Sequence, residues 1–159
     1  HSVYGTFHAN TANETVMRLT SSPIEIPKFT LSALGLIVVQ HRDRKSGQRI
    51  TLQIAEIKPT GDENVILQYN PKTKKHFMKN KPDELLKKLD EFQGISPEEF
   101  YAEVKDRALV LGYLAKFNIS QIDEVGEVIN EYYKDKDALI KKVKQEITKG
   151  KKNKQINQE

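Results

Sequence analysis

The hydrophobic and polar positions of this chain change rhythm along its length, and each rhythm predicts a different kind of element. Val3 to His8 is a run of β-branched and aromatic residues with little polarity, the pattern of a strand covered on both faces, as in a parallel sheet. Asn10 or Thr11 then offers a helix cap, and Val16 and Leu19 stand three apart on one face of a helix over Ala12 to Leu19. Pro23 and Pro27 bracket Ile24 and Ile26 in an extended linker, because proline disfavours helix in the residue before it. A single helical turn is expected at Phe29 to Leu34.

From Leu36 the rhythm is that of paired strands. Leu36 to Gln40 is almost wholly apolar, and the turn Lys45-Ser46-Gly47-Gln48 leads into Ile50, Leu52, Ile54 and Ile57 on a second strand. Pro59-Thr60-Gly61-Asp62 makes another turn. Val65 to Tyr69 and His76 to Met78 then flank Asn70-Pro71-Lys72-Thr73 as a second hairpin. The middle third therefore predicts an antiparallel meander.

The remainder has helical spacing. Lys81-Pro82-Asp83 opens a helix through Phe92 that Gly94 stops. Ser96-Pro97-Glu98-Glu99 is a full capping box with proline at the first helical position. The helix it opens carries Phe100, Val104, Ala108, Leu111 and Ala115 on one side, which is expected to face a core. Ser120 and Asp123 are expected to cap a third helix with Ile122, Val125 and Ile129. A fourth helix carries Leu139, Ile140, Val143 and Ile147. Gly150 to Glu159, with a lone Ile156 among polar residues, is expected to be a disordered basic tail.

Composition narrows the chemistry. The chain has 159 residues, enough for one ordinary core and an appendage. It contains no cysteine, which removes disulfides, zinc-thiolate sites and thiol nucleophiles. No run of about 18 apolar residues is present to span a membrane, and no signal peptide is recognisable. Nine lysines between Lys134 and Lys154 face three acidic residues, so the net charge of +4 is concentrated at the carboxy end. The Lys/Glu bias without cysteine has a thermophile flavour. His41 and His76 lack partners at ligand spacing, so no metal site is expected. Glu98, Glu99 and Glu103 are expected on a solvated helix near its positive end.

The sharpest group of residues is His1-Ser2-Val3-Tyr4-Gly5-Thr6-Phe7-His8-Ala9-Asn10. A strand ending in Thr-x-His-Ala and passing into a helix puts a hydroxyl and an imidazole at a sheet's carboxyl edge, where ligands sit in open α/β folds. The segment resembles the histidine box of the secretion ATPase superfamily, which serves type II and type IV secretion, type IV pili and the archaellum. His1 is similar to the first histidine of that pattern, and Thr6, His8 and Ala9 to the rest. The likeness continues through Arg18-Leu19, Pro23 to Pro27, Ala33-Leu34, Arg42, Gly47-Gln48-Arg49 and Glu56-Ile57, closest to the archaeal branch.

That resemblance implies a fold and a role. The expected fold is α+β, or a truncated α/β: the carboxy-terminal part of a RecA-like ATPase domain with an antiparallel meander, followed by a helical subdomain. The expected boundaries are 1–80 for the ATPase part, 81–149 for the helical subdomain and 150–159 for the tail. His8 and Thr6 are implied to support catalysis near the terminal phosphate of ATP-Mg²⁺ in the full-length protein, with His1 and Arg18 close to the nucleotide. Arg42 and Arg49 read better as surface arginines. The implied partners are the other subunits of a homo-hexamer and a membrane platform protein, at the cytoplasmic face of the membrane, with no specific nucleic acid. No Gly-x-x-x-x-Gly-Lys-Ser/Thr occurs in the chain, so the amides and lysine that cradle phosphates are absent and the chain alone is expected to be inactive. A rival reading is a free-standing module that binds nucleic acid or protein through its basic helical end.

Overall fold

The computed structural model describes residues 3–156, with side chains through 149. They form two compact units that divide between Ile95 and Ser96.

The first unit is a helix on a four-stranded sheet. Helix α1 spans Ala12–Thr20 and is followed by a 3-10 turn over Lys28–Ala33. The strands are β1 (Leu36–Arg42), β2 (Arg49–Ile57), β3 (Glu63–Asn70) and β4 (Lys75–Met78), and helix α2 spans Asp83–Gln93. Strand order follows chain order, and every pairing is antiparallel. The register places Val38 opposite Ile54 and Ile54 opposite Leu67, with irregularities after Val39 and Ile54. Ala12 and Val16 of α1 meet buried Val39, Ala55, Leu31 and Ile57.

Polar contacts fix where the helices sit. Gln53 accepts a bond from the Ala12 amide at 2.9 Å and donates to Gln68 at 2.9 Å, so the sheet holds one of α1's free amino-terminal N–H groups. Glu56, only 2% exposed, accepts from Asn64 Nδ2 at 2.7 Å and from the Leu85 amide at 2.9 Å. Asn64 Nδ2 also donates to the Lys81 carbonyl at 2.9 Å. This pair clamps the start of α2 to the sheet, which is why α2 groups with the first unit and not with the helices after Ser96. The boundary expected at residue 80 accordingly falls at 95.

The parallel strand expected over Val3 to His8 is not formed. Residues 3–9 are extended but join no ladder, and Val3 and Tyr4 are 88% and 93% exposed. An apolar run becomes a strand only when another strand satisfies its amides and carbonyls, and none lies beside it among the described residues. His1 and Ser2 lie outside those residues.

The second unit comprises α3 (Pro97–Lys116), α4 (Ile122–Lys134) and α5 (Lys136–Ile156). Ser96 and Glu99 form the expected capping box: Ser96 N–H donates to Glu99 at 2.8 Å and Glu99 N–H donates to Ser96 Oγ at 3.3 Å. The core is Val110, Tyr113, Leu114, Tyr132, Leu139, Ile140 and Val143. The face of α3 expected to be buried is therefore the wrong one: Val104 and Leu111 are 48% and 64% exposed. Helix α4 starts one residue after Gln121, with no side-chain cap from Ser120 or Asp123, and Ile122 in its first turn is exposed. The backbone of α5 continues as helix through Ile156, past Gly150 where the tail was expected to begin; residues 157–159 lie outside the described range.

Candidate functional site

The segment before α1, one face of α1 and the loop after it enclose an open cleft of about 660 Å³. Thr6 and His8 border it from the extended segment, Glu14, Met17 and Arg18 from the helix, and Ser21 to Ile24 from the loop. Three of the four residues singled out from the sequence, Thr6, His8 and Arg18, thus share one surface. The fourth, His1, lies outside the described residues.

The helix end that frames the cleft is built by local chemistry. Thr11 Oγ1 accepts from the Glu14 amide at 3.0 Å, and the Glu14 carboxylate reaches back to the Asn10 amide at 2.8 Å and Asn10 Nδ2 at 3.0 Å. These two Asn10 bonds hold the Glu14 carboxyl below the usual carboxylate range, with Arg18 adding to the effect. Glu14 also pairs with Arg18 Nη2 at 2.6 Å, one turn along the helix. The Arg18 guanidinium is therefore matched by a carboxylate, although its side chain stays 55% exposed. The cleft combines a hydroxyl, an imidazole and a guanidinium with an apolar floor of Phe7, Met17 and Ile24.

Glu14 was not singled out from the sequence. Its position three residues after the Thr11 cap and four before Arg18 was the available clue. Arg42 and Arg49 face each other at the turn end of the β1–β2 hairpin, and neither lines this cleft. His76 is held as a structural residue: its Nε2 lies 2.7 Å from the Thr51 carbonyl and its ring packs against Tyr69.

The second unit contains a polar centre that helix patterning did not reveal. Glu103, expected on a solvated helix, accepts from Arg107 Nε at 2.8 Å, Tyr132 Oη at 2.8 Å and Lys136 Nζ at 3.1 Å, joining all three helices. The Arg107 bond, then the Tyr132 bond and the Lys136 ammonium, lower its carboxyl to about 2. Only the fold brings these partners together, because Tyr132 and Lys136 lie about thirty residues downstream.

Among the described residues, no three histidine, cysteine, aspartate or glutamate side chains converge as a metal site. No helix among them is long and apolar enough to cross a membrane.

No family model matches the chain. It is similar to two proteins of the archaeon Methanocaldococcus jannaschii. The uncharacterized protein MJ0781 is 34% identical over 148 residues, covering 88% of this chain and 20% of that protein. The uncharacterized protein MJ1287 is 30% identical over 124 residues, covering 73% of this chain and 46% of that protein. The chain thus spans about a fifth of the length of the first relative and under half of the second.

Proposed function

We propose that this chain is the carboxy-terminal part of a hexameric motor ATPase for secretion or pilus assembly, and that Thr6, His8 and Arg18 form the sensor edge of its nucleotide site. The carrying observation is that these three residues of the histidine-box resemblance border one cleft at the start of α1. On this reading α1 and the sheet close a RecA-like domain, and the protein works with five other subunits at a membrane platform on the cytoplasmic side.

The donor set suits a supporting contact. A threonine hydroxyl, an imidazole and a guanidinium can all donate to phosphate oxygens. They approach from one side only and lack the backbone cradle that holds a triphosphate. Thr6, His8 and Arg18 would meet the terminal phosphate of ATP, while the phosphate loop and the Mg²⁺ ligands belong to other parts of the full protein. ATP bound there supplies the phosphoryl bond whose hydrolysis drives movement. Glu14 gives the edge a two-position character, since a phosphate and the Glu14 carboxylate compete for the same guanidinium.

Two measurements test the reading. The purified 159-residue chain should show no ATP turnover, whereas His8→Ala in the full-length protein should lower turnover about a hundredfold, the scale of removing one transition-state donor. Turnover by the short chain that disappears on Thr6→Ala or His8→Ala would overturn it, as would a full reading frame without a phosphate-binding loop. Salt-sensitive binding of single or double strands by the short chain, lost on neutralising the α5 lysines, would favour the rival binding module instead.

A further inference from the structure

Helix α3 has two apolar faces, and the core uses only one. Val110, Tyr113 and Leu114 point into the second unit. At 3.6 residues per turn, Phe100, Tyr101, Val104, Ala108, Leu111, Gly112 and Ala115 fall within an arc of about 120° beside that core face. Tyr101, Val104 and Leu111 are 38%, 48% and 64% exposed, and Ala108, Gly112 and Ala115 are exposed as well. A surface helix normally carries one apolar stripe, so a second needs a partner.

The size order along this stripe identifies the partner. Large side chains fill its first half, as Phe100, Tyr101 and Val104, whereas the second half is mostly small, as Ala108, Gly112 and Ala115, with Leu111 its one large member. Laid antiparallel on a copy of itself about a two-fold axis near Ala108, the helix sets Phe100 against Ala115, Tyr101 against Gly112 and Val104 against Leu111 of the other copy. Gly112 leaves open space where a Cβ would stand, which accommodates a ring. Small residues at Ala108 let the backbones approach at the axis.

At the two ends of the stripe charge follows the same symmetry, while Arg107, near the axis, is neutralised within its own chain by Glu103. Glu98 and Lys116 lie on the same flank of the stripe at opposite ends, and both are exposed. In an antiparallel pair each flank meets its own copy, so Glu98 of one chain faces Lys116 of the other. Lys116 now donates to the Ile147 carbonyl at 3.1 Å, one of the three bonds an ammonium can make. We propose that the second face of α3 is a self-complementary surface through which two copies of this chain associate by antiparallel helix pairing. This inference does not depend on the motor reading.

Its test uses the whole chain, which has no native cysteine. A single helix pair is at the small end of specific interfaces, so sedimentation should show a monomer–dimer equilibrium with a dissociation constant of about 10–100 µM. Ala108→Cys, placed on the axis, should form a disulfide-linked dimer at least about tenfold faster than Lys141→Cys on exposed α5, a preference worth some 1.4 kcal/mol. Leu111→Glu should leave a monomer with unchanged helix content by circular dichroism. Should that variant lose its fold, Glu98→Lys should weaken the dimer and Glu98→Lys with Lys116→Glu should restore it. A wild-type chain that remains monomeric at several times the upper concentration, or an Ala108→Cys chain that cross-links no faster than the control, would overturn the proposal.

Discussion

Replacing Glu103 by glutamine should weaken the helical unit by an amount that depends on pH. Glu103 accepts bonds from Arg107, Tyr132 and Lys136, and these lower its carboxyl from the usual 4.5 to about 2. In a dry site, at 1.36 kcal/mol per tenfold change in proton affinity, that lowering would represent about 3 kcal/mol. The Glu103 side chain is 34% exposed, however, and water and salt screen such a site to about 1 kcal/mol. A carboxyl lowered by folding contributes stability above its unfolded value and loses it as pH falls toward the folded value. The contribution should thus be complete at neutral pH, decline from about pH 5, and vanish near pH 2. Urea titrations followed by helix dichroism, on wild type and Glu103→Gln in steps across this range, measure the difference directly. A difference that stays constant down to the lowest pH would refute the charge-based account and leave only packing or shape.

Other substitutions probe separate parts of the fold. Gly61 has φ +82° and an added Cβ would stand 2.0 Å from the Lys28 carbonyl oxygen, so Gly61→Ala should cost about 2–4 kcal/mol, read from the thermal or urea midpoint. Glu56→Ala removes the acceptor of the Leu85 amide and of Asn64, and should cost about 2–3 kcal/mol with faster hydrogen exchange at Leu85; unchanged exchange there would contradict the clamp. The Glu146 carboxylate beside Tyr113, together with burial, pushes its phenol up to about 12. The protonated phenol therefore stabilises the unit fully below 10, its ordinary value, and this is lost as pH rises toward 12. Tyr132 is also raised, by burial and by its bond to Glu103, so ultraviolet titration should find late-ionising tyrosines of which only Tyr113 drops in Glu146→Gln. Glu14→Gln should free the Arg18 guanidinium and raise the affinity of the full-length protein for nucleotide, measured by equilibrium binding; lowered affinity would mean that Glu14 serves to position Arg18.

Elements whose stabilising contacts are local were legible in the chain itself. The capping box at Ser96, the stop at Gly94 and the turn at Gly61 depend on neighbours within four residues, and all three stand where the residues put them. The meander was legible for the same reason, since short turns between apolar runs fix which strands pair, although the register shifts after Val39 and Ile54 were not readable there. Thr6, His8 and Arg18 could be named from the family resemblance, and all three border the cleft. Glu14 could not be weighted, because its importance comes from bonds to both Asn10 and Arg18.

What required the tertiary structure was every choice between alternatives of similar local merit. Val3 to His8 has the composition of a buried strand, yet a strand exists only with a neighbour, and composition does not supply one. Helix α3 offers two apolar stripes of comparable strength, and periodicity could not decide which would meet α4 and α5. Glu56 and Glu103 look like ordinary acidic residues in sequence, but distant amides, a phenol and cations converge on them when the chain folds. Local patterning determined where the meander, the turns and the capped helix α3 begin, because those energies arise within a few residues, whereas the end of α5 did not follow from it. The faces that are buried and the charges that are paired were decided only by long-range packing, which brings residues about thirty positions apart within hydrogen-bonding distance.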